Sequence, residues 1–347
     1  MTSVAVIGGD TRVGERIVAT LREDPRVARL VVLGAQVEAQ ADVEAHAVDI
    51  AATDLKAYLD GIDVIVECAT RIDPMPERDL VDRTTVMTAD NVLRAAASAR
   101  RYVLVSTTAV YGAWANNAVP LNEDALLRPN AGFDPATRAA EVERRVREWN
   151  VDHPDCDVVV LRAAPVVATD SSDLMAVLLA GRPPVVARGA HPLVQVVHVD
   201  DVASAVGLAV FGSLTGVYNV AADDALDEDD LAALLPGRTQ VRLPEELIAR
   251  GLDALWQSGA GDVPAAALAY LREPWTVANE KLRAAGWEPE YANAEAIAVC
   301  MPEAAYALPP EAKRALLAAA ATAGAVVVAT ALFVNRRRKR RRARRNR

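Results

Sequence analysis

The feature that most constrains this chain is how it begins. Val4-Ala5-Val6-Ile7 is a continuous apolar run that ends in Gly8-Gly9 and feeds a helical pattern over residues 13–22. A short run that is apolar on both faces suits a strand buried inside a parallel sheet. A strand that ends in glycine and opens a helix turns backbone N–H groups toward an anion, and the helix dipole adds to that attraction. Gly8 permits the tight turn, and Gly14, six residues on, lets the helix pack close to the strand. A glycine between them at position 11 would let a pyrophosphate approach the backbone. The chain has Thr11 there, which is expected to crowd that approach.

The same alternation continues downstream. Residues 29–33, 62–66, 102–106 and 158–162 read as strands, and 84–100 and 136–149 as helices. Strands alternating with helices imply right-handed βαβ units and a parallel sheet. Aromatic residues are only 4% of a chain that is 52% hydrophobic, which also argues against an aromatic-rich β-sandwich. The expected fold class is therefore α/β: a Rossmann-type doubly wound parallel sheet, a smaller C-terminal substrate lobe and a C-terminal apolar helix. In domain terms, residues 1–165 form the dinucleotide-binding part, with 190–212 returning to it. Residues 166–308 form the smaller lobe, punctuated by Gly181-Arg182-Pro183-Pro184. Residues 309–335 form the apolar helix and 336–347 a basic tail.

Three cysteines (Cys68, Cys156 and Cys300) show neither metal-ligand spacing nor a disulfide framework. The expectation is no metal site and a reducing compartment. The N-terminus runs straight into a strand with no signal peptide, so the globular part is expected to be cytoplasmic.

In a dinucleotide fold the second strand should end in an acid that takes the ribose 2′-OH of NAD. Here it ends Leu33-Gly34-Ala35-Gln36, with no acid, so NAD or NADP is the expected cofactor, with Arg12 available to a 2′-phosphate, and weak or absent binding at a degenerate site is equally permitted. Asp49-Ile50 suits either a contact to the adenine edge or an ordinary helix cap. Arg162 suits either a substrate phosphate or a partner acid. His198 reads as structural, and an aspartate of Asp200-Asp201 as the cap of the helix that follows.

These residues add up to a resemblance. Val6-Ile7-Gly8-Gly9 with Gly14, Asp49-Ile50, Val105-Ser106-Thr107-Thr108-Ala109-Val110-Tyr111-Gly112, Leu161-Arg162, Val197-His198-Val199-Asp200-Asp201 and Gly286-Trp287-Glu288-Pro289 occur in the order and spacing of one family. The chain resembles the extended short-chain dehydrogenase/reductases, the NAD-dependent epimerase/dehydratase group that works on nucleotide sugars. It is most similar to an actinobacterial epimerase-like branch with a Gly-Phe segment where the family keeps its catalytic tyrosine.

The resemblance implies cofactor contacts from Gly8, Gly9, Thr11, Arg12, Gly14, Asp49, Ile50, Ala69 and Ser106, and a catalytic Thr107. It also implies a nucleotide-sugar ligand and a homodimer through the helices near 84–100 and 136–149. In the family, Tyr-x-x-x-Lys moves the substrate proton and holds the nicotinamide ribose. That window falls on Gly132-Phe133-Asp134-Pro135-Ala136-Thr137-Arg138-Ala139, with Tyr aligned to Pro135 and Lys to Ala139. General acid–base catalysis needs a titratable group within hydrogen-bond reach, and neither aligned residue supplies one. Tyr111 is the residue weighed as a substitute.

The C-terminus is a separate regime. Ala315 to Val334 holds no charged residue over twenty positions, about 30 Å as a helix and enough to cross a bilayer core. Residues 336–347 carry ten Lys/Arg and no acid, so the rest of the chain is far more acidic than the net charge of −9 implies. The pairing suggests an apolar segment at a membrane with arginines on anionic headgroups. The other reading of 315–334 is a buried Ala-rich helix. A basic arm on nucleic acid is the weaker reading of the tail, because the neighbouring segment is apolar.

The expected function is therefore a membrane-associated, NAD(P)-binding, catalytically degenerate member of this group, acting as a binding module or accessory subunit. The alternatives are an active epimerase, dehydratase or reductase with a relocated base, and a basic-tailed nucleic-acid binder.

Overall fold

The computed structural model describes residues 1–300 except 39–41, 69–77, 170–172, 181–184, 190–192, 236–239 and 259–262, with backbone alone at 78–84 and 174. Ala69, Gly181–Pro184, the apolar segment 309–335 and the basic tail 336–347 therefore lie outside the described residues. Among the described residues no helix is long and apolar enough to cross a membrane.

Seven strands build one parallel sheet: β1 (Thr2–Ile7), β2 (Val27–Gly34), β3 (Glu44–Ala47), β4 (Val64–Glu67), β5 (Arg101–Thr107), β6 (Asp157–Ala163) and β7 (Gly216–Val220). Their spatial order is β7-β6-β5-β4-β1-β2-β3. The order reverses between β1 and β4, where Ile7 pairs with Glu67 on one side and Leu33 on the other. Ligands of open α/β sheets bind outside the carboxyl ends of the strands at such a switch point.

The apolar runs alternate faces as strand geometry demands. Val4 and Val6 join one core layer, under α1 (Arg12–Arg22), while Ala5 and Ile7 join the opposite layer, under α2 (Arg78–Ala95) and α3 (Asp134–Asp152). Gly14, Ile17, Val18 and Leu21 form the buried stripe of α1, spaced as a core-facing helix requires. A fourth helix, α4 (Val199–Phe211), lies beside α1 on the first face. The chain's return to the main sheet thus extends beyond residue 212 to β7 at Val220, because the strand after α4 pairs in parallel with β6.

The smaller lobe has its own core, including Met175, Val194, Leu226, Ile248, Tyr270 and Trp275. That core reaches back to Ala109, Phe133 and Ala136, which sit where β5 and α3 meet the lobe. Asp201, buried in α4, ties the two parts together by accepting hydrogen bonds from the backbone N–H groups of Glu290 (2.6 Å) and Tyr291 (3.3 Å). The cap of α4 is His198 rather than an aspartate. Its Nδ1 accepts from the Asp200 N–H at 3.2 Å, and its ring stacks on Tyr291. The histidine is structural, as the sequence suggests.

Candidate functional site

The carboxyl ends of β1, β2 and β3 place Gly8, Gly9, Thr11, Arg12, Gly14, Asp49 and Ile50 at one end of the sheet. The Gly8 and Gly9 N–H groups donate to the Leu33 carbonyl at 2.8 and 3.1 Å, which locks the loop after β1 to the end of β2. Gly8 has φ +84°, a conformation L side chains rarely adopt. Thr11 does not stand across the loop. Its hydroxyl turns inward, donates to the Gly8 carbonyl at 2.7 Å and accepts from the Gly14 N–H at 3.0 Å, so it caps α1. The crowding expected at position 11 is replaced by a capping role that glycine has no side chain to fill.

A Cβ on Gly14 would lie 2.1 Å from the Gly8 carbonyl oxygen, and one on Gly9 would lie 2.2 Å from Val32 Cγ1. The loop is thus a cradle built around missing side chains, seated at the N-terminus of an 11-residue helix. That arrangement fits a pyrophosphate. Because the clash at Gly14 is with backbone, Gly14→Ala is expected to cost roughly 1–3 kcal/mol or more, read as a fall in melting temperature. An unchanged melt would show that the loop opens freely.

Asp10, within this loop, is a residue the sequence does not single out. Its Oδ2 accepts from the N–H groups of Ala35 (3.1 Å) and Gln36 (3.2 Å), just past β2. Asp49 follows β3, whose end is tied to the end of β2: Gly34 pairs with Ala47, and the Val48 N–H donates to the Gly34 carbonyl. Asp49 is exposed and its Oδ1 accepts from the Ala51 N–H at 3.0 Å, closing a local turn. The Ile50 carbonyl accepts from Asn91 Nδ2 at 2.7 Å.

The substrate end is organised differently. Thr107 closes β5, buried, with Oγ1 accepting from the Ala109 N–H at 3.2 Å. Ser106, expected to contact the cofactor, turns its hydroxyl to a protein partner. Successive residues of a strand point to opposite faces, and its hydroxyl donates to Glu143 Oε1 at 2.6 Å inside the protein. Glu143 is paired with Arg162, whose Nη2 lies 2.7 Å from Oε2 with both side chains almost wholly buried. Of the two roles open to Arg162, the structure selects the ion pair.

Arg162 Nη1 donates to the Tyr111 hydroxyl at 2.8 Å, and that hydroxyl donates to Asn219 Oδ1 at 2.8 Å. Burial pushes the Tyr111 phenol up to about 12, with Arg162 pulling the other way. A phenol that is 1% exposed and bonded on both sides is a strut between β5, β6 and β7. The structure thus gives the Tyr111 hydroxyl two protein partners, Arg162 and Asn219.

Pro135 and Ala139 are both buried at the start of α3. Phe133, fully buried, packs on Tyr270 with ring centroids 4.8 Å apart, and Tyr270 meets Trp275 edge-on at 5.0 Å. The Tyr270 hydroxyl donates to the Ala109 carbonyl at 2.9 Å and accepts from the Asn130 N–H at 3.3 Å. Burial raises its pKa. An aromatic cluster thus fills the ground beside the Tyr-x-x-x-Lys window. Tyr270 lies more than a hundred residues from that window in sequence, so no local pattern announces it.

The model of the NAD dependent epimerase/dehydratase family matches residues 4–221, from the first strand through the last strand of the sheet. The chain belongs to the NAD dependent epimerase/dehydratase family. The fold of this family member is similar to that of the UDP-glucose 4-epimerase of Thermus thermophilus, solved with NAD: TM-score 0.66, 19% identity, covering 88% of this chain and 100% of that one. It is also similar to the dTDP-glucose 4,6-dehydratase of Bacillus anthracis str. Ames, solved with NAD, with a TM-score of 0.63, 14% identity, and 88% and 96% covered. At these identities the likeness shows the fold. An uncharacterised protein of Mycobacterium tuberculosis is 30% identical over 133 residues, covering 38% of this chain. The matched part spans about a third of that relative's length, 35%. Among the described residues no group of His, Cys, Asp or Glu is arranged to hold a metal ion.

Proposed function

We propose that this epimerase/dehydratase-family chain binds NAD(P) at the Gly8–Gly14 loop without carrying out the family's hydride chemistry, and serves as a binding module or accessory subunit. The observation that carries this reading is the buried environment of Pro135 and Ala139. The two positions that align with the proton-moving tyrosine and its lysine hold no titratable group and are buried, and between and beside them Ala136 and Phe133 share a core with Tyr270 and Trp275. General acid–base catalysis supplies roughly 10²–10⁴ in rate, and both nearby phenols, Tyr111 and Tyr270, have their hydroxyls committed to protein partners. The cradle at the other end of the site supports retained binding. A bound dinucleotide would supply a hydride acceptor or donor, while the chain's own part is to hold the pyrophosphate over the Gly8–Gly14 loop at the N-terminus of α1.

The test is a titration of the purified chain with NADH and NADPH beside a turnover assay on a panel of nucleotide sugars. Binding without turnover is the expected result. Robust turnover that disappears in Thr107→Ala would overturn the degenerate reading.

Membrane association through residues 315–347 and dimerisation are part of the same proposal. The apolar stretch and the ten basic residues after it support the first. The second is supported by the adjacency of α2 and α3, bridged by the Arg145–Asp90 ion pair and carrying an exposed Met87. Flotation with anionic vesicles that is lost on deleting residues 336–347 is expected. Binding of that tail to DNA instead of vesicles would favour the nucleic-acid reading.

A further inference from the structure

The second strand of this dinucleotide fold ends without an acid, and an acid has arrived at the same place from a different part of the chain. Asp10 belongs to the loop after β1, yet its carboxylate reaches the end of β2, where Oδ2 accepts from the Ala35 and Gln36 N–H groups. Gly34 is what admits it: a Cβ at Gly34 would lie 2.4 Å from Asp10 Oδ1 and 2.8 Å from Cγ. Any side chain at position 34 would push the carboxylate out. The bare backbone of β2 and the acid in the loop are thus complementary.

We infer that Asp10 supplies the carboxylate for the hydroxyls of the adenine-side ribose, in place of an acid on β2, and makes this chain select NAD over NADP. The assignment rests on the dinucleotide-binding reading above. A carboxylate offers about four acceptor positions on two oxygens. The loop amides use Oδ2, and among the described residues no donor reaches Oδ1. That oxygen is left for ribose O–H donors, in hydrogen bonds strengthened by the charge. The same charge repels a 2′-phosphate. Position adds to this, because Asp10 belongs to the Gly8–Gly14 loop itself and its carboxylate is held at the end of β2. The NADP tolerance expected from the acid-free sequence Leu33-Gly34-Ala35-Gln36, with Arg12 as phosphate partner, gives way to NAD preference once the loop is folded.

The experiment is calorimetric or fluorescence titration of the full chain with NADH and NADPH, for the wild type, Asp10→Asn and Asp10→Ser. NADH is expected to bind wild type at least about tenfold more tightly than NADPH, the ratio one charge-assisted hydrogen bond supplies. Both Asp10 variants should lose that ratio, chiefly by weaker NADH binding. Serine keeps an acceptor for the loop amides while removing the charge, and melting curves report whether each variant folds. The wild-type ratio needs no variant, so misfolding cannot hide a failure. NADH binding with no preference, a preference for NADPH, or a ratio unchanged in folded Asp10→Asn and Asp10→Ser would overturn the assignment while leaving dinucleotide binding intact. Binding of neither dinucleotide would overturn both.

Discussion

Arg162→Met is expected to destabilise the fold by roughly 3–5 kcal/mol, the cost of leaving a buried carboxylate without its partner. Glu143 is 3% exposed, and Arg162 donates to it through both Nε and Nη2. Burial works against the arginine's charge, but Glu143 and Tyr111 outweigh it and raise its pKa. Losing the guanidinium also strips Tyr111 of its donor. The double variant Arg162→Met/Glu143→Leu should recover most of the loss, because the unpaired charge goes with the carboxylate. A residual cost of about 1–3 kcal/mol should remain from the Ser106 hydroxyl left without its acceptor and the Tyr111 hydroxyl left without its donor. Urea denaturation of the wild type, the single variants and the double variant measures this. Single effects that simply add would contradict a coupled pair.

Glu67→Gln is expected to stabilise the protein above neutral pH. Glu67 ends β4 at the switch point and is almost wholly buried. Burial raises its carboxyl to about 7, against the hydrogen bond from Tyr102, with the Asp90 charge adding to the rise. In the unfolded chain the same group titrates near its ordinary value of about 4.3. Between those two values the folded state holds the proton and the unfolded state does not. The unfolded state thus binds fewer protons, and stability falls as pH rises through that window. The contribution is fully favourable below the unfolded value and lost above about 7, a span worth on the order of 3 kcal/mol. Glutamine keeps an acceptor for the Tyr102 hydroxyl and carries no charge. Melting curves from pH 4.5 to 8 should therefore converge at the acid end and separate at the basic end, with the variant higher. Parallel curves would show that Glu67 stays ionised throughout.

The parallel sheet, its strand–helix alternation and the glycine cradle were legible in the sequence because each is written locally. An apolar run bounded by glycine has one comfortable place, the interior of a parallel sheet. Gly14 sits six residues after Gly8 because the first turn of α1 must pack against the strand end. The seventh strand was harder to see. Gly216–Val220 is short, follows a long excursion through the smaller lobe, and reveals its place only by pairing with β6. Ser106 and Tyr111 looked like site residues because their neighbours match the family. Whether a strand-end hydroxyl faces the crevice or the interior depends on what lies opposite, and Glu143 and Arg162 lie opposite.

By itself, the sequence determined that this is a dinucleotide-type α/β fold of the epimerase/dehydratase pattern, and that residues 132–139 contain neither a tyrosine nor a lysine. The first follows from residue types at fixed short spacing, which the backbone geometry of strands, turns and helices reads directly. Only the tertiary structure decided three long-range arrangements: Tyr270 brought against Phe133, Tyr111 locked between Arg162 and Asn219, and Asp10 carried to the end of β2. Each of these contacts except Asp10's joins residues from distant parts of the chain, and Asp10's joins two loops at the ends of neighbouring strands. Such contacts are set by which strands lie side by side, and strand order is a property of the folded sheet rather than of any local run of residues.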